Sequence, residues 1–156
     1  MSNSQLRIAQ LADQKLLESL QLRASLLNPS DREAILDNPD CIEVPQNHIN
    51  TGNVLVLEVE NAIVGFASVI PRADGNQELD ALFVESEHWK SGYGRLLVEA
   101  SSRLASSRGA PFLYVIGNPQ ALGFYEKCGF VFQGSVQTGF GEAPNMRRQL
   151  TSTPME

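Results

Sequence analysis

The order of apolar and polar residues predicts six or seven strands. LRIAQL is typical of a short first strand, and NVLVLEVENAIVGFASVIP favours a hairpin that turns at Glu60 and Asn61. ELDALFV and PFLYVIG predict two further strands, and the latter is apolar enough to be buried. FVFQGSVQ and PNMRRQL predict a last antiparallel pair.

Caps and apolar spacing predict two helices in the first part of the chain. The first would be capped by Asp13 and run to about Leu27, with an apolar stripe made of Leu16, Leu20 and Leu27. Pro29 would stop it, and the Ser30 and Glu33 pair fits the capping box of a second helix. Residues 39 to 53 carry no periodic pattern and are interpreted as an irregular segment.

Two more helices are predicted in the second half. SGYGRLLVEASSRLASSRG would be a helix that ends at Gly109, with Leu97, Ser101 and Leu104 on one side. NPQALGFYEKCG would be capped by Asn118. The predicted strands of the hairpin are followed by a strand, a helix, a strand and a helix. This order indicates an α/β fold, with a mixed sheet of six to seven strands flanked by about four helices. We expect residues 1–156 to form a single domain.

Charge and composition narrow the function classes. The chain has 18 acidic and 12 basic residues and a net charge of −6, which argues against a nucleic-acid partner held through phosphates. No apolar run approaches the roughly 20 residues of a membrane span, and MSNSQLRIAQ lacks a secretory apolar region, so a cytoplasmic protein is expected. The cysteines Cys41 and Cys128 and the histidines His48 and His88 form no metal-ligand spacing, so we expect no metal.

HWKSGYGRLL places Gly92 and Gly94 between a predicted strand and a predicted helix. A helix N-terminus presents free N–H groups to an anion, and glycine lets a phosphate approach the backbone. A plain strand-to-helix turn is the alternative. The dinucleotide fingerprint would need a glycine at Leu97, and the P-loop pattern is absent.

WKSGYGRLL after LFV, followed by NPQALGFYEKCGF, resembles the GNAT superfamily of acetyl-CoA-dependent N-acetyltransferases. The family's pyrophosphate loop has the pattern Gln/Arg-x-x-Gly-x-Gly/Ala, and Trp89 stands here in the Gln/Arg position. The resemblance implies acetyl-CoA as co-substrate. The positions that it assigns to coenzyme A are Leu82, Phe83, Val84, Trp89, Lys90, Ser91, Gly92, Tyr93, Gly94, Arg95, Asn118 and Tyr125.

The same resemblance assigns the proton chemistry. Tyr125 would protonate the departing thiolate, and packing among aromatic residues is the alternative for this side chain. Glu78 is the expected base for the amine, ahead of Asp80 or a water relay. In the family, the strand that corresponds to ELDALFV usually has a β-bulge. A bulge changes the face of the sheet on which the following side chains lie.

The expected function is therefore an N-acetyltransferase, a transferase of acyl groups that uses direct attack in a ternary complex. The acceptor would be a small-molecule or peptide amine. The alternatives are a catalytically weak acyl-CoA sensor and a transferase of a bulkier acyl group; a homodimer is left open. A cationic or neutral amine is favoured over an acidic one, because at most one of the adjacent Arg147 and Arg148 can point into the site.

Overall fold

The computed structural model describes residues 4–27, 29–38, 42–89, 91–138 and 141–150. The strands are β1 (Ser4–Ile8), β2 (Val54–Val59), β3 (Ala62–Pro71), β4 (Gln77–Val84), β5 (Phe112–Ile116), β6 (Val131–Thr138) and β7 (Gly141–Gln149). The α-helices are α1 (Gln14–Leu26), α2 (Pro29–Asp37), α3 (Gln46–Asn50), α4 (Tyr93–Ser107) and α5 (Leu122–Lys127).

The seven strands form one sheet in the order β1-β2-β3-β4-β5-β7-β6. β4 and β5 are parallel and every other neighbouring pair is antiparallel. The predicted mixed α/β sheet is confirmed. The hairpin turn is also confirmed: Glu60 and Asn61 both have positive φ, as a tight two-residue connection between twisted strands requires.

Helices cover both faces of the sheet. α4 and α5 lie on one face, where the fully buried Leu97, Leu113 and Met146 belong to the larger core. On the other face, Leu17 and Leu20 of α1 and Ile49 of α3 pack with apolar residues of β2 and β3. The predicted buried side of α4 is confirmed at Leu97 and Ser101, which are both wholly buried.

The predicted details of α1 were wrong in two respects. Leu16 and Leu27 are exposed, and Leu17 shares the buried stripe with Leu20 because these two lie three residues apart on one helix face. Asp13 precedes the helix, but its side chain makes no cap hydrogen bond to α1. It instead accepts hydrogen bonds at 2.8 Å from the Arg7 guanidinium and from the backbone N–H of Gln10.

The structure differs from the prediction in the segment between residues 29 and 53. α2 begins at Pro29, so the expected cap at Ser30 lies inside the helix. The segment interpreted as irregular contains α3, which brings the α-helices of the described residues to five rather than about four. α3 is too short to show an apolar period, and Ile49 is its buried residue. Residues 39–41, including Cys41, lie outside the described part of the chain.

Neighbouring leucines on α4 allow a matched test of this packing. Leu97 is 0% exposed and Leu96 is 41% exposed. Because Leu97→Ala leaves a cavity in the core, it should lower the free energy of unfolding by about 2–5 kcal/mol. Leu96→Ala should change it by only about 0.5 kcal/mol. Urea denaturation measures both, and equal losses would contradict the placement of α4 on the sheet.

Candidate active site

The site lies where β4 and β5 separate. The two strands pair only from Gln77 to Leu79, opposite Leu113 to Val115. β4 continues to Val84 and pairs there with β3 alone, within the part of the chain that the structure describes. Its other edge therefore has backbone N–H and C=O groups that an extended ligand can meet.

A β-bulge occurs at the point of separation. Ser68 of β3 faces Ala81 and Val69 faces Leu79, so Asp80 is the extra residue of β4. Leu79 before the bulge and Leu82 after it pack on the α4 side, although a regular strand would place them on opposite faces. The expected bulge and its change of side-chain parity are confirmed.

A cavity of about 770 Å³ follows the open edge of β4 toward the start of α4. Of the twelve positions assigned to coenzyme A from the sequence, nine line this cavity: Leu82, Phe83, Val84, Trp89, Gly92, Gly94, Arg95, Asn118 and Tyr125. Ser91 and Tyr93 are not among its lining residues, and Tyr93 instead packs against the larger core. Lys90 lies outside the described residues.

The loop between β4 and α4 is held by Trp89. Its indole Nε1–H donates to the carbonyl oxygen of Val84 at 2.8 Å. This hydrogen bond attaches the loop to the end of β4. About half of the indole remains exposed beside the cavity.

The two glycines of this loop have separate structural reasons. Gly92 has φ of 85° and precedes α4, a left-handed conformation that other residues adopt at a cost. A Cβ on Gly94 would lie 3.1 Å from the Phe124 ring, so this glycine allows α5 to approach α4. A Cβ on Gly92 would meet no protein atom within 4 Å. The space above Gly92 is therefore open to a ligand at the helix N-terminus.

A second cavity of about 240 Å³ adjoins the first. Six residues line both: Ser25, Asp31, Leu82, Phe83, Asn118 and Tyr125. The smaller cavity also has Asp80 and Gln21 among its polar lining residues, and Ile35 and Ile42 among its apolar ones. The two cavities thus meet beside Asn118 and Tyr125, which the sequence predicted to share one face.

Tyr125 is a buried side chain at this junction. Its ring makes edge-to-face contacts with Phe124 and Phe130, with centroid separations of 5.2 and 5.4 Å. Burial, with a smaller effect of Cys128, raises the pKa of the Tyr125 hydroxyl above its usual value. The hydroxyl is therefore protonated at neutral pH. Cys128 itself is buried in the larger core, and burial raises the pKa of its thiol.

Asn118 connects the junction to α2. Its Oδ1 accepts a hydrogen bond from the backbone N–H of Gln120 at 2.9 Å. The predicted cap is confirmed, although Asn118 caps a 3-10 turn that leads into α5 and not α5 itself. Its Nδ2 donates to a carboxylate oxygen of Asp31 at 3.3 Å. Burial raises the pKa of Asp31. Sequence reasoning missed Asp31, because nothing local marks one acidic residue of a helix as facing a distant asparagine.

The two predicted base candidates differ in position. Glu78 forms an ion pair with Arg72 at 3.3 Å and is not among the lining residues of either cavity. Burial and the nearby Asp80 raise the pKa of Glu78, and Arg72 opposes them. Asp80 lines the smaller cavity. Glu78 remains a prediction, and the structure does not bring its carboxylate to the cavity wall.

The remaining candidates lie around the site. His88 lines the larger cavity and contacts the Tyr93 ring, whereas His48 belongs to α3 and lines neither cavity. Arg147 lies over the Phe112 ring and donates to the hydroxyl of Tyr114. Arg148 pairs with Glu99 of α4 at 2.8 Å. The two arginines face opposite sides of the sheet, as predicted, and neither is among the lining residues of the cavities.

The sequence profile of the Acetyltransferase (GNAT) family matches residues 20–130. The chain belongs to this family. The match includes β4, the glycine loop, α4, β5 and α5, and so covers the residues that line the larger cavity. No curated protein sequence matches the chain.

Solved structures share the GNAT fold over nearly the whole chain. A GCN5-related N-acetyltransferase from Rhodopseudomonas palustris is 22% identical, with a TM-score of 0.74 over 96% of this chain and 98% of that one. The paia N-acetyltransferase from Thermoplasma acidophilum, in complex with coenzyme A, is 16% identical, with a TM-score of 0.71 over 94% and 99%. A ribosomal-protein-alanine N-acetyltransferase from Brucella melitensis is 24% identical, with a TM-score of 0.68 over 94% and 99%.

Membrane spans and metal centres are two other features that a chain of this size can carry. Among the described residues, no helix is both long and apolar enough to cross a membrane. Within the same residues, no three His, Cys, Asp or Glu side chains are placed to hold a metal ion.

Proposed function

We propose that this protein transfers the acetyl group of acetyl-CoA to an amine by direct attack in a ternary complex. The observation that carries the proposal is the meeting of two cavities beside Tyr125, where β4 and β5 part. Membership of the GNAT family supports an acyl transfer from coenzyme A. The larger cavity would hold the coenzyme and the smaller one the acceptor.

Backbone groups would supply most of the contacts to the coenzyme. The diphosphate would meet the N–H groups of Gly92 to Arg95, which begin a fifteen-residue helix and have no carbonyl four residues earlier within it. The extended pantetheine arm would lie along the open edge of β4. Arg95, at the cavity wall, would add positive charge near the phosphates. The coenzyme complex of the Thermoplasma acidophilum neighbour supports this choice of ligand.

The thioester would then lie at the junction of the cavities. Backbone N–H groups of Leu82 to Val84 would stabilise the oxyanion of the tetrahedral intermediate. Tyr125 would donate a proton to the leaving thiolate, because its side chain lines both cavities at their junction. Glu78 as base would need a water relay from the cavity, since its carboxylate is engaged by Arg72.

The coenzyme site can be tested with a pair of glycine variants. Gly92 and Gly75 both have positive φ and open space where a Cβ would lie, but Gly75 belongs to the turn between β3 and β4. Gly92→Asn should weaken coenzyme A binding about tenfold or more, about 1.4 kcal/mol, because its side chain enters the phosphate space. Gly75→Asn should leave affinity unchanged. Calorimetry measures both, and equal affinities would remove coenzyme binding from the glycine loop.

The function itself is tested by amine-dependent turnover of acetyl-CoA. Tyr125→Phe should lower kcat by about 10- to 10³-fold with little change in coenzyme affinity, because only the proton donor is lost. Tyr114→Phe is the matched control, since that hydroxyl contacts Arg147 instead of the cavities. Coenzyme binding without turnover of any amine would favour the sensor alternative. A preference for a longer acyl-CoA would favour the bulkier acyl group.

A further inference from the structure

We propose that the acceptor is a compact amine without an acidic group, and that Asp31 of α2 binds its nitrogen and accepts its proton. This inference rests on the proposed acetyl transfer and adds to it the acceptor class and the base. The base would then belong to α2, whereas the family resemblance implied Glu78 of β4.

The charges around the smaller cavity indicate the acceptor class. Its lining includes the carboxylates of Asp31 and Asp80 and no lysine, arginine or histidine among the described residues. An acceptor carboxylate would be placed beside like charges without a cationic partner. The lining also includes the apolar side chains of Ile35, Ile42 and Val115. A cavity of about 240 Å³ with this lining fits an amine whose carbon skeleton is a short aliphatic chain or a small aromatic ring.

Neither cavity is lined by Arg72, Arg147 or Arg148, and each of these arginines has another partner. Arg147 stacks on Phe112, and Arg148 contacts Glu99 and Ser102 on the α4 side. Arg72 lies over the Tyr114 ring, 4.0 Å from its centroid, and pairs with Glu78. A glutamate-like acceptor could obtain a cationic partner from these three arginines only if one of these arrangements broke.

The position of Asp31 distinguishes it from the other carboxylates. Asp31 lines both cavities, whereas Asp80 lines only the smaller one and Glu78 neither. Its carboxylate also contacts Nδ2 of Asn118, a residue of the coenzyme wall, at 3.3 Å. A nitrogen bound to Asp31 would therefore be next to the space that the thioester occupies. Burial that raises the pKa of this carboxyl makes it a stronger base for the same geometry.

The proton balance is complete with these groups. Asp31 takes one proton from the bound ammonium, and the free amine forms a C–N bond to the thioester carbonyl carbon. The C–S bond of the tetrahedral intermediate then breaks, and the thiolate takes the proton of Tyr125. The nitrogen, which still carries two protons, returns one to the tyrosinate directly or through water. The products are the amide and the free thiol, and the proton on Asp31 passes to solvent.

Among the described residues that line the cavities, few titratable groups accompany Asp31. β4 contributes Asp80 and α5 contributes Tyr125, whereas α1 contributes the neutral Gln21 and Ser25. The β4–α4 loop contributes His88 and α4 contributes Arg95 on the far side of the larger cavity. The pH dependence of the reaction should therefore report mainly Asp31 and the amine itself.

Matched pairs of acceptors test the substrate class in the wild-type protein. Each pair consists of a primary amine and the amino acid with the same side chain, such as 3-methylbutylamine with leucine and phenethylamine with phenylalanine. We expect kcat/KM to be at least about tenfold higher for the amine of each pair, because the extra carboxylate meets Asp31 and Asp80. Higher values for the amino acids would overturn the proposed acceptor class.

Variants at three carboxylates test which of them is the base. Asp31→Asn keeps the size of the side chain and an oxygen for Asn118, so coenzyme A affinity should stay within about twofold as a check of folding. Its kcat/KM for amines near neutral pH should fall by about 10²-fold and recover partly at high pH, where more free amine is present. Asp31→Glu should recover part of the activity. Glu78→Gln and Asp80→Asn should lose less than Asp31→Asn.

The outcomes separate the two proposals. If wild-type protein turns over amines and Asp31→Asn has the same activity and pH profile, Asp31 is not the base and only this inference fails. A large loss of activity in Glu78→Gln, together with an active Asp31→Asn, would indicate that Glu78 of β4 is the base. If wild-type protein acetylates no amine at all, the proposed function fails and this inference fails with it.

Discussion

The separation of β4 from β5 after Leu79 is the constraint on which the site depends. A sheet interior normally pairs every backbone N–H and C=O, so a strand that loses its neighbour needs another partner along that edge. The bulge at Asp80 accompanies this separation and changes which face the following side chains take. Leu82 and Val84 stay in the core under α4, and the free edge of β4 becomes the wall of a cavity.

Packing on both sides holds this opening in place. On the α4 side, Leu97 is wholly buried against the sheet and Phe124 lies against Gly94, so the start of α4 is fixed relative to α5. On the other side, Arg23 of α1 forms an ion pair with Glu85, directly after β4. That pair is too exposed to contribute much stability. It connects α1 to the end of β4, beside the loop that begins α4.

The sequence predicted the parts that local rules control. The Glu60 and Asn61 turn, the period of α4 and the Asn118 cap are each set by neighbours a few residues away, and each is confirmed. The apolar stripe of α1 was predicted wrongly because Leu16 and Leu17 are adjacent and lie on different faces of the helix. Only the packing of α1 on the sheet shows that Leu17 is the buried residue. α3 was missed because one turn carries no period.

The residues that line the larger cavity were easier to predict than those that line the smaller one, for a related reason. Nine of the twelve assigned positions line the larger cavity, since the glycine loop and the Asn118 helix are continuous motifs. The smaller cavity is assembled from α1, α2, β4 and β5, which are distant in the chain. Asp31 and Asn118 are 87 residues apart, and only tertiary structure brings them together. Glu78 was predicted as the base from its place in the family's strand before the glycine loop. Its ion pair with Arg72 depends on the turn between β3 and β4, which is not part of the family motifs.

A crystal structure with acetyl-CoA and a bound, non-reacting acceptor analogue would test the proposed site most directly. We expect the diphosphate at the N-terminus of α4 and the pantetheine along β4 between Asp80 and Val84. The thioester sulfur would then lie within about 3.5 Å of the Tyr125 hydroxyl, with the acceptor in the smaller cavity. A coenzyme bound outside the gap between β4 and β5, or a thioester directed away from Tyr125, would contradict the proposed site.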